Sequence, residues 1–288
     1  NASLPAGQQA TTIQRNGGRL NNHGFEFAVN SKNLTGNFTW NTDFNISFNR
    51  NKLKQLDLQQ IYYDVKTNDL VNDNVVRNEP SKSLAGFYGY ISDGVNPETG
   101  ELMYRDLNGD GLISSSDRTY IGNPLPKFVY GMTNNFSWKN FDLSIFFQGT
   151  YGNDIFNASR METEGMYDGR NQTTVVLDRW RVPGQITNVP KAGFDMKNST
   201  YFVEDGSYLR MKNISLGYSI SPERLKRIGI NKIQPYLSVS NLFTLTKYSG
   251  MDPEVNQYSG GADSRIQGID WGTYPQNRSF VLGLNIEF

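Results

Sequence analysis

A strict apolar–polar alternation over residues 37–49 is the feature that most constrains how this chain can fold. In the stretch NFTWNTDFNISFN, aromatic and aliphatic side chains occupy every second position except Thr42, and amides, hydroxyls and one carboxylate fill the positions between them. Successive side chains of a strand point to opposite faces, so this stretch predicts a strand with one apolar and one polar face. Its length of about twelve residues exceeds the ~5–6 typical of globular strands and matches the ~9–11 of a tilted membrane-spanning strand.

Further segments predict strands of the same kind and bring the total to about nine. The clearest of them is FDLSIFFQGTY at 141–151, and the weakest are 72–78 and 84–91. The others are 23–31, 127–138, 206–220, 232–245 and 279–288. Residues 1–22 form a polar stretch without the regions of a signal peptide, and we expect a loop there that continues from a missing N-terminal part.

The predicted connections alternate in length. Long ones occupy 51–71, 93–126, 158–205 and 246–278, and short ones separate the other neighbouring strands. Because a meander changes side at each connection, the short turns then lie on one rim and the long loops on the other, which is typical of outer-membrane barrels. The two weakest strands are needed for this parity. The predicted fold of residues 23–288 is therefore all-β, an antiparallel transmembrane β-barrel segment with long outer loops.

Composition excludes several classes of protein. The 28 basic and 28 acidic residues cancel, so no nucleic-acid footprint or polybasic membrane patch is expected. No run approaches the ~20 apolar residues of a membrane-spanning helix, whereas a barrel stays compatible because its lipid-facing and lumen-facing residues alternate. The absence of cysteine excludes a disulfide framework and a thiolate metal site.

The sharpest local motif is DLNGDGLISSSD at 106–117, which has the spacing of an EF-hand-type calcium loop. The candidate oxygen ligands are Asp106, Asn108, Asp110, the Leu112 carbonyl, Ser114 and Asp117. The motif departs from the usual pattern by ending in Asp rather than Glu, and no helix precedes it. Aspartate, asparagine and glycine also favour turns that hold no ion, so a plain turn is the alternative. If calcium binds, its role would be structural.

Catalysis has little support in the sequence. His23 is the only histidine, and its neighbours Asn21, Asn22 and Gly24 indicate a polar strand start. No nucleophile elbow surrounds a serine, and no phosphate-binding glycine motif joins a strand to a helix. We therefore expect no enzymatic activity. Aromatic residues in the long connections could stack on sugars, anchor a partner or pack the loops.

Several separated stretches resemble the C-terminal barrel region of TonB-dependent outer-membrane transporters of the SusC/RagA type. They include GFYGYISDGVNPETGELMYRDLNGDG, DGSYLRMKNISLGYSI, NLFTLTKYSGMDPEV and YPQNRSFVLGLNIEF, and the resemblance runs from about residue 21 to the end of the chain. In such barrels a terminal strand that alternates and ends in an aromatic residue resembles the barrel-assembly signal. Here that signal would comprise Phe280, Leu282, Leu284, Ile286 and Phe288.

The resemblance implies import of large nutrients, oligosaccharides or oligopeptides, across the outer membrane of a Gram-negative cell. It implies a SusD-type surface lipoprotein and TonB as partners, with TonB acting through a plug that this chain lacks. It also implies that outer-membrane lipid and the N-terminal remainder of the same barrel surround the segment. Two alternatives remain open: a soluble, calcium-stiffened carbohydrate-binding β domain, and a hydrolase that uses His23.

Overall fold

The computed structural model of the chain describes residues 2–3, 12–13, 17–56, 61–63, 71, 74–220, 229–255 and 266–288. The short helices are α1 (Ala158–Glu164) and three 3-10 turns at Ser115–Asp117, Thr174–Asp178 and Thr200–Phe202. The strands are β1 (Ala2–Ser3), β2 (Thr12–Ile13), β3 (Gly18–Leu34), β4 (Phe38–Leu56), β5 (Ile61–Tyr63), β6 (Val76–Asn78), β7 (Gly86–Gly89), β8 (Ser92–Val95), β9 (Leu102–Tyr104), β10 (Thr119–Gly122), β11 (Phe128–Trp138), β12 (Phe141–Tyr151), β13 (Asp154–Asn157), β14 (Val203–Asp205), β15 (Tyr208–Tyr218), β16 (Lys232–Thr246), β17 (Ile269–Asp270) and β18 (Ser279–Glu287).

Seven long strands form one antiparallel sheet, called the wall below, in the order β18-β16-β15-β12-β11-β4-β3. The sheet is open, with β3 and β18 at its edges. The predicted all-β antiparallel class is confirmed. None of the helices within the described ranges has the length and apolar character that crossing a membrane requires.

The strand registers align the apolar positions of all seven wall strands. One row of directly paired residues crosses the whole sheet: Leu34, Trp40, Phe136, Leu143, Leu216, Leu237 and Leu282. A neighbouring row on the other face is mostly polar: Lys32, Asn41, Asn135, Ser144, Ser215, Ser238 and Val281. Leu282 is 83% exposed although it lies on the apolar face. An exposed apolar band of this kind is the surface that a barrel presents to lipid.

Aromatic side chains mark the end of the wall where the short turns lie. Trp138 pairs with Phe38, and Phe141 pairs with Tyr218 at a ring-centroid distance of 4.8 Å. All four side chains are exposed. Aromatic rings of this kind gather at the height of the lipid headgroups, because one part of the environment there is apolar and the other is wet.

The two weakest predicted strands do not belong to the wall. Val76–Asn78 and Gly86–Gly89 pair with each other in a separate sheet, ordered β10-β7-β6-β5, and residues 72–73 lie outside the described residues. The expected nine wall strands are therefore seven. The alternation of short and long connections survives, because removing two strands merges two long loops and one short turn into one long connection. The expectation that both weak strands were needed for this parity was wrong.

Most of the buried core lies in the long connections, and among the described wall residues only Leu53, Tyr208 and Val239 are buried hydrophobics. We call the described residues of 71–127, 152–205, 247–255 and 266–278 the loop body. Its largest fully buried side chains include Phe87, Phe156, Phe194 and Phe202. The cluster around them is completed by Val71, Val75, Val76, Leu102, Ala158, Met161, Met196 and Ile269. The loop body thus folds around a hydrophobic core of its own, which fixes the position of the polar groups on its surface.

Substitution with arginine at adjacent positions of β15 tests the assignment of the two wall faces. Ile214 lies on the apolar face near the middle of the strand, and Ser215 lies on the polar face. We expect Ile214→Arg to destabilise the protein in a lipid bilayer by about 2–4 kcal/mol, and Ser215→Arg to have a small effect. Denaturant-induced unfolding in lipid vesicles measures both values. Equal losses for the two variants would contradict the assignment.

Candidate functional site

A buried cluster of charged groups fastens the loop body to the polar face of the wall. Arg210 of β15 is 2% exposed, and its guanidinium donates hydrogen bonds to Asp252 at 2.6 Å, Glu254 at 2.7 Å and the Thr244 hydroxyl at 2.8 Å. Strand β15 thus holds the chain segment that follows β16. Buried charges are tolerated only when they are paired and hydrogen-bonded, and every nitrogen of this guanidinium has such a partner.

Neighbouring side chains complete this cluster. Glu254 also accepts a hydrogen bond from the Tyr208 hydroxyl at 2.8 Å, and it forms an ion pair with Lys212 at 2.9 Å. Asp252 accepts from the Gln276 backbone N–H at 2.9 Å, so the cluster reaches the end of the last long connection. Burial raises the pKa of Asp252, but the hydrogen bonds from Gln276 and Arg210 outweigh it and hold that pKa below its ordinary value.

A second, partly buried cluster of charged groups connects separate segments of the loop body. Arg160 of α1 pairs with Glu164 at 3.0 Å and Glu204 at 3.3 Å, and its guanidinium lies 4.8 Å from the centroid of the Tyr201 ring. Glu204 in turn accepts hydrogen bonds from the backbone N–H and the hydroxyl of Ser249, both at 2.8 Å. Helix α1, strand β14 and the start of the last connection are therefore locked together.

The predicted calcium ligands lie in one loop that is exposed except at Ser114 and the buried Asp117, and most of their oxygens already accept hydrogen bonds from within the loop. The Asp106 carboxylate accepts from the backbone N–H groups of Gly109 at 2.7 Å and Gly111 at 2.8 Å. Asn108 accepts from the Asp110 N–H, and Asp110 accepts from the Leu112 N–H. Within the described part of the chain, no three histidine, cysteine or acidic side chains are grouped so that they could hold a metal ion.

Asp117 closes the ends of this loop. Its carboxylate accepts from the backbone N–H groups of Leu107 at 2.9 Å and Ser114 at 2.8 Å, and Ser114 completes a capping box at the start of the 3-10 turn Ser115–Asp117. The hydrogen bond from Ser114 holds the pKa of Asp117 below its ordinary value. The structure thus shows a role for Asp117 that needs no ion, and calcium binding stays a prediction.

The residues of the predicted assembly signal lie on or directly after the edge strand β18. All five are exposed on the apolar face: Phe280, Leu282, Leu284, Ile286 and Phe288. This placement agrees with a lipid-facing strand, and the assembly role itself stays a prediction. His23 lies in β3, exposed and paired with Arg50 across the sheet.

A cavity of about 690 Å³ opens where the loop end of the wall meets the loop body. Amide and hydroxyl side chains of β3 and β4 line one side, including Asn22, Ser47 and Asn49, and Asp154 and Asp205 of the loop body line the other. The volume is in the range of typical ligand sites, which is about 300–1,000 Å³. Sequence reasoning did not single out this cavity or the Arg210 cluster, although the charged residue in the alternating strand YLRMKN was a signal for the latter.

Solved structures share the fold of this chain. The RagAB peptide transporter superposes with a TM-score of 0.81 and 23% identity, over 100% of this chain and 31% of the transporter chain. The RagAB peptide importer in the open-open state gives a TM-score of 0.77 and 22% identity, over 94% of this chain and 29% of the other. The chain therefore shares the fold of a segment of these transporter chains.

Sequence comparison defines the relatives. TonB-dependent receptor P3 of Formosa agariphila is 34% identical over 306 residues, which cover 99% of this chain and 30% of that receptor. TonB-dependent receptor SusC of Bacteroides thetaiotaomicron is 29% identical over 298 residues, which cover 96% of this chain and 27% of that receptor. No family model matches the chain. The chain thus spans less than a third of the length of these relatives.

The homologues of this chain are TonB-dependent receptors, and they include SusC. The resemblance to transporters of the SusC/RagA type that the sequence motifs indicated is confirmed.

Removal of the Arg210 guanidinium tests whether it fastens the loop body to the wall. Arg210→Met leaves the buried Asp252 without its cation and Glu254 with Lys212 alone, so we expect a loss of about 3–5 kcal/mol in the local stability of residues 248–255. Hydrogen–deuterium exchange of the detergent-solubilised protein measures this loss.

The matched control is Arg105→Met, which breaks the exposed ion pair with Asp93 and is expected to leave exchange at residues 248–255 unchanged. Unchanged exchange at 248–255 in Arg210→Met would contradict the anchoring role.

Because the pKa of Asp252 is lowered in the folded state, its contribution to stability is present above the unfolded pKa of about 4 and is lost as the pH falls through the folded value.

Proposed function

We propose that this chain forms part of the wall and the outer loops of a TonB-dependent importer in the outer membrane of a Gram-negative cell. The importer would take up large nutrients, oligosaccharides or oligopeptides, together with a SusD-type surface lipoprotein. The observation that supports this most directly is the two-faced wall, in which an exposed apolar row is paired in register across seven strands. A soluble β domain would bury that row, so the same observation disfavours the carbohydrate-binding domain as an alternative.

The polar face of the wall supports a role in transport. It carries amides and hydroxyls on every strand between the two edges, including Asn41, Asn135, Ser144, Ser215 and Ser238. Such groups line the water-filled interior of outer-membrane barrels and let polar solutes pass. In the proposed importer, TonB acts through a plug contributed by other parts of the receptor, and this segment supplies wall, lumen lining and outer loops.

Exposed apolar side chains on the loop body support a protein partner at the outer rim. Ile186 is 95% exposed, and Leu177, Val182 and Val175 are exposed on the same segment of the chain. Apolar side chains grouped in this way mark interaction surfaces more often than free surface. We propose that this segment contacts the surface lipoprotein.

Energy-dependent uptake by the full-length receptor that contains this chain tests the proposed function. Cells that express the receptor are given labelled oligosaccharide and oligopeptide mixtures, with and without a protonophore, and in the presence or absence of TonB. We expect uptake that is lost when the protonophore is added and also when TonB is absent. We also expect a surface lipoprotein to copurify with the receptor in detergent. Uptake that persists without TonB would overturn the assignment, because passive diffusion through a pore would then suffice.

We propose in addition that the loop at 106–117 binds a structural calcium ion. The support is the spacing of oxygen ligands at loop positions 1, 3, 5, 7, 9 and 12, and the way Asp106 already bends the chain around its carboxylate. Calcium would add its own bonds to a loop that Asp117 holds closed, and would stiffen the first long connection.

Calorimetric titration of the purified receptor with calcium tests this site. We expect Asp110→Asn to weaken calcium binding about tenfold or more, because it removes one ligand charge, and the exposed Glu98→Gln to leave binding unchanged. Asp117→Asn should loosen the loop with or without calcium, since an amide cannot accept both backbone hydrogen bonds. A titration without heat, or equal affinities for Asp110→Asn and Glu98→Gln, would contradict calcium binding here.

A further inference from the structure

The hairpin of β3 and β4 extends beyond the loop-side end of the wall. Strand β11 begins at Phe128, whose ring lies 5.5 Å from that of Phe48, whereas β4 continues for eight residues after Phe48 to Leu56. Strand β3 accompanies it, because Phe25 pairs with Phe48 and Gly18 pairs with Leu56. The hairpin therefore projects past the rim at which the long connections lie.

The apolar face of this hairpin changes from apolar to basic at the rim. Within the wall, the side chains of Phe25 and Phe27 on this face are 71% and 58% exposed. Past the rim, the same face carries basic and polar side chains, because strand side chains alternate between the two faces and the register pairs residue 23 with residue 50 and residue 21 with residue 52. We call five exposed residues of this face the basic stripe: Arg19, Asn21, His23, Arg50 and Lys52.

The charges of the hairpin are divided between its two faces. Its two acidic residues lie on the polar face, where Glu26 pairs with Ser47 and Asp43 pairs with Asn30. The basic stripe contains two arginines, one lysine and no acidic residue. None of the ion pairs formed among the described residues includes a residue of the stripe. The balanced charge of the whole chain predicted no polybasic membrane patch, but a balanced total does not show how charges are distributed between two faces.

Aromatic rings beside the stripe mark the height of the lipid headgroups. The Phe128 ring stacks on Tyr151 at a centroid distance of 5.0 Å, and Tyr151 is 52% exposed. Barrel strands tilt by roughly 40° and rise about 3.4 Å per residue, so Arg50 lies about 5 Å and Lys52 about 10 Å beyond Phe48 along the membrane normal. The headgroup layer extends about 5–8 Å beyond the hydrocarbon on each side. The stripe thus begins within this layer, and the side chain of Lys52 is long enough to reach back to it.

The side chains of the stripe suit a phosphate group. Both hydrogen bonds of Arg50, to the backbone carbonyls of Asn49 and Lys127, come from the same nitrogen, Nη1. Among the described residues, Nη2 and Nε have no acceptor, and a guanidinium can bind two oxygens of one phosphate. Lys52 follows two residues later, about 7 Å along the strand, and adds a second cation. The Asn21 amide can donate to and accept from the hydroxyls of a sugar that carries such a phosphate.

We propose that the basic stripe binds the phosphate groups of a phosphorylated glycolipid in the outer leaflet of the membrane, and that the acyl chains of this lipid pack on Phe25 and Phe27. This inference rests on the proposed function, which places the long connections outside the cell. A further barrel strand would pair with the edge of β3 and leave this face open. An acidic protein would match the charge of the stripe but not the exposed apolar row that continues from it, whereas a lipid matches both.

Lipid binding by the delipidated full-length receptor in detergent tests the proposal. Native mass spectrometry measures the binding of bisphosphorylated lipid A, of the same lipid without its phosphates, and of phosphatidylglycerol. We expect lipid A to bind most tightly. Arg19→Gln/Lys52→Gln should raise its dissociation constant about tenfold to thirtyfold, because each basic residue near anionic headgroups contributes a few-fold to binding. This variant should fold normally, since both side chains are exposed and make no hydrogen bond or ion pair among the described residues.

The matched control is Lys32→Gln/Lys139→Gln, which removes the same charge from two exposed lysines near the opposite rim. It should leave the dissociation constant for lipid A unchanged. Equal losses in the two double variants, or no loss in either, would overturn the stripe as the binding surface. Equal binding of lipid A with and without its phosphates would also overturn it.

Further measurements separate the lipid from other anionic ligands. Displacement of lipid A by an excess of inorganic phosphate would indicate a site for the free ion and overturn the lipid assignment. Phosphatidylglycerol binding as tightly as lipid A would overturn the glycolipid. An acidic protein that copurifies with the receptor and is lost in Arg19→Gln/Lys52→Gln, without lipid A binding, would assign the stripe to a protein partner.

The inference and the proposed function fail in different ways. We expect Arg19→Gln/Lys52→Gln to retain TonB-dependent uptake, because the stripe lies on the face of the wall opposite to the polar one. Uptake without lipid A binding would overturn the stripe alone. Lipid A binding that depends on the stripe, in a receptor without TonB-dependent uptake, would overturn the import function alone.

Discussion

The lateral register of the wall strands is the constraint on which the rest of this structure depends. Six strand pairs place an apolar residue opposite an apolar residue along one face, from Leu34 at one edge to Leu282 at the other. A shift of one residue in any pair would turn the polar side chains of that strand toward lipid and the apolar ones toward the lumen. Because the chain reverses direction at each connection of this sheet, the short turns and the long connections lie on opposite rims.

A wall with this arrangement cannot supply a hydrophobic core. One of its faces is apolar and largely exposed and the other is mostly polar, so the wall buries little apolar surface against the loops. The loop body therefore packs around its own cluster of Phe87, Phe156 and Phe202, and it is fastened to the wall by polar contacts. Those contacts include the Arg210 cluster, the hydrogen bond from Arg50 to the Lys127 carbonyl and the hydrogen bond from the Leu84 N–H to Asn51. The cavity of about 690 Å³ lies between the surfaces that they hold together.

The candidate site was only partly predictable. The candidate ligands of the loop at 106–117 lie close together in the sequence, so local sequence was enough to predict a compact turn there. The Arg210 cluster joins residues more than forty positions apart, and only the return of the chain after β16 brings Asp252 and Glu254 to the guanidinium. The cavity between the wall and the loop body takes Asn49 from one wall strand and Asp154 and Asp205 from the loop body, and no local pattern relates these segments.

The sequence by itself determined the two-faced strands, the all-β class, the alternation of long and short connections and the resemblance to TonB-dependent receptors, because these follow from period-two alternation and from ordered local motifs. Only the tertiary structure decided which strands join the wall. Residues 76–78 and 86–89 have strand character, but they are short and their side chains are mostly buried, so they pack in the loop body and not at a lipid surface. The ion-pair cluster and the cavity also depended on the tertiary structure, since pairing at a distance is set by packing and not by the order of residues.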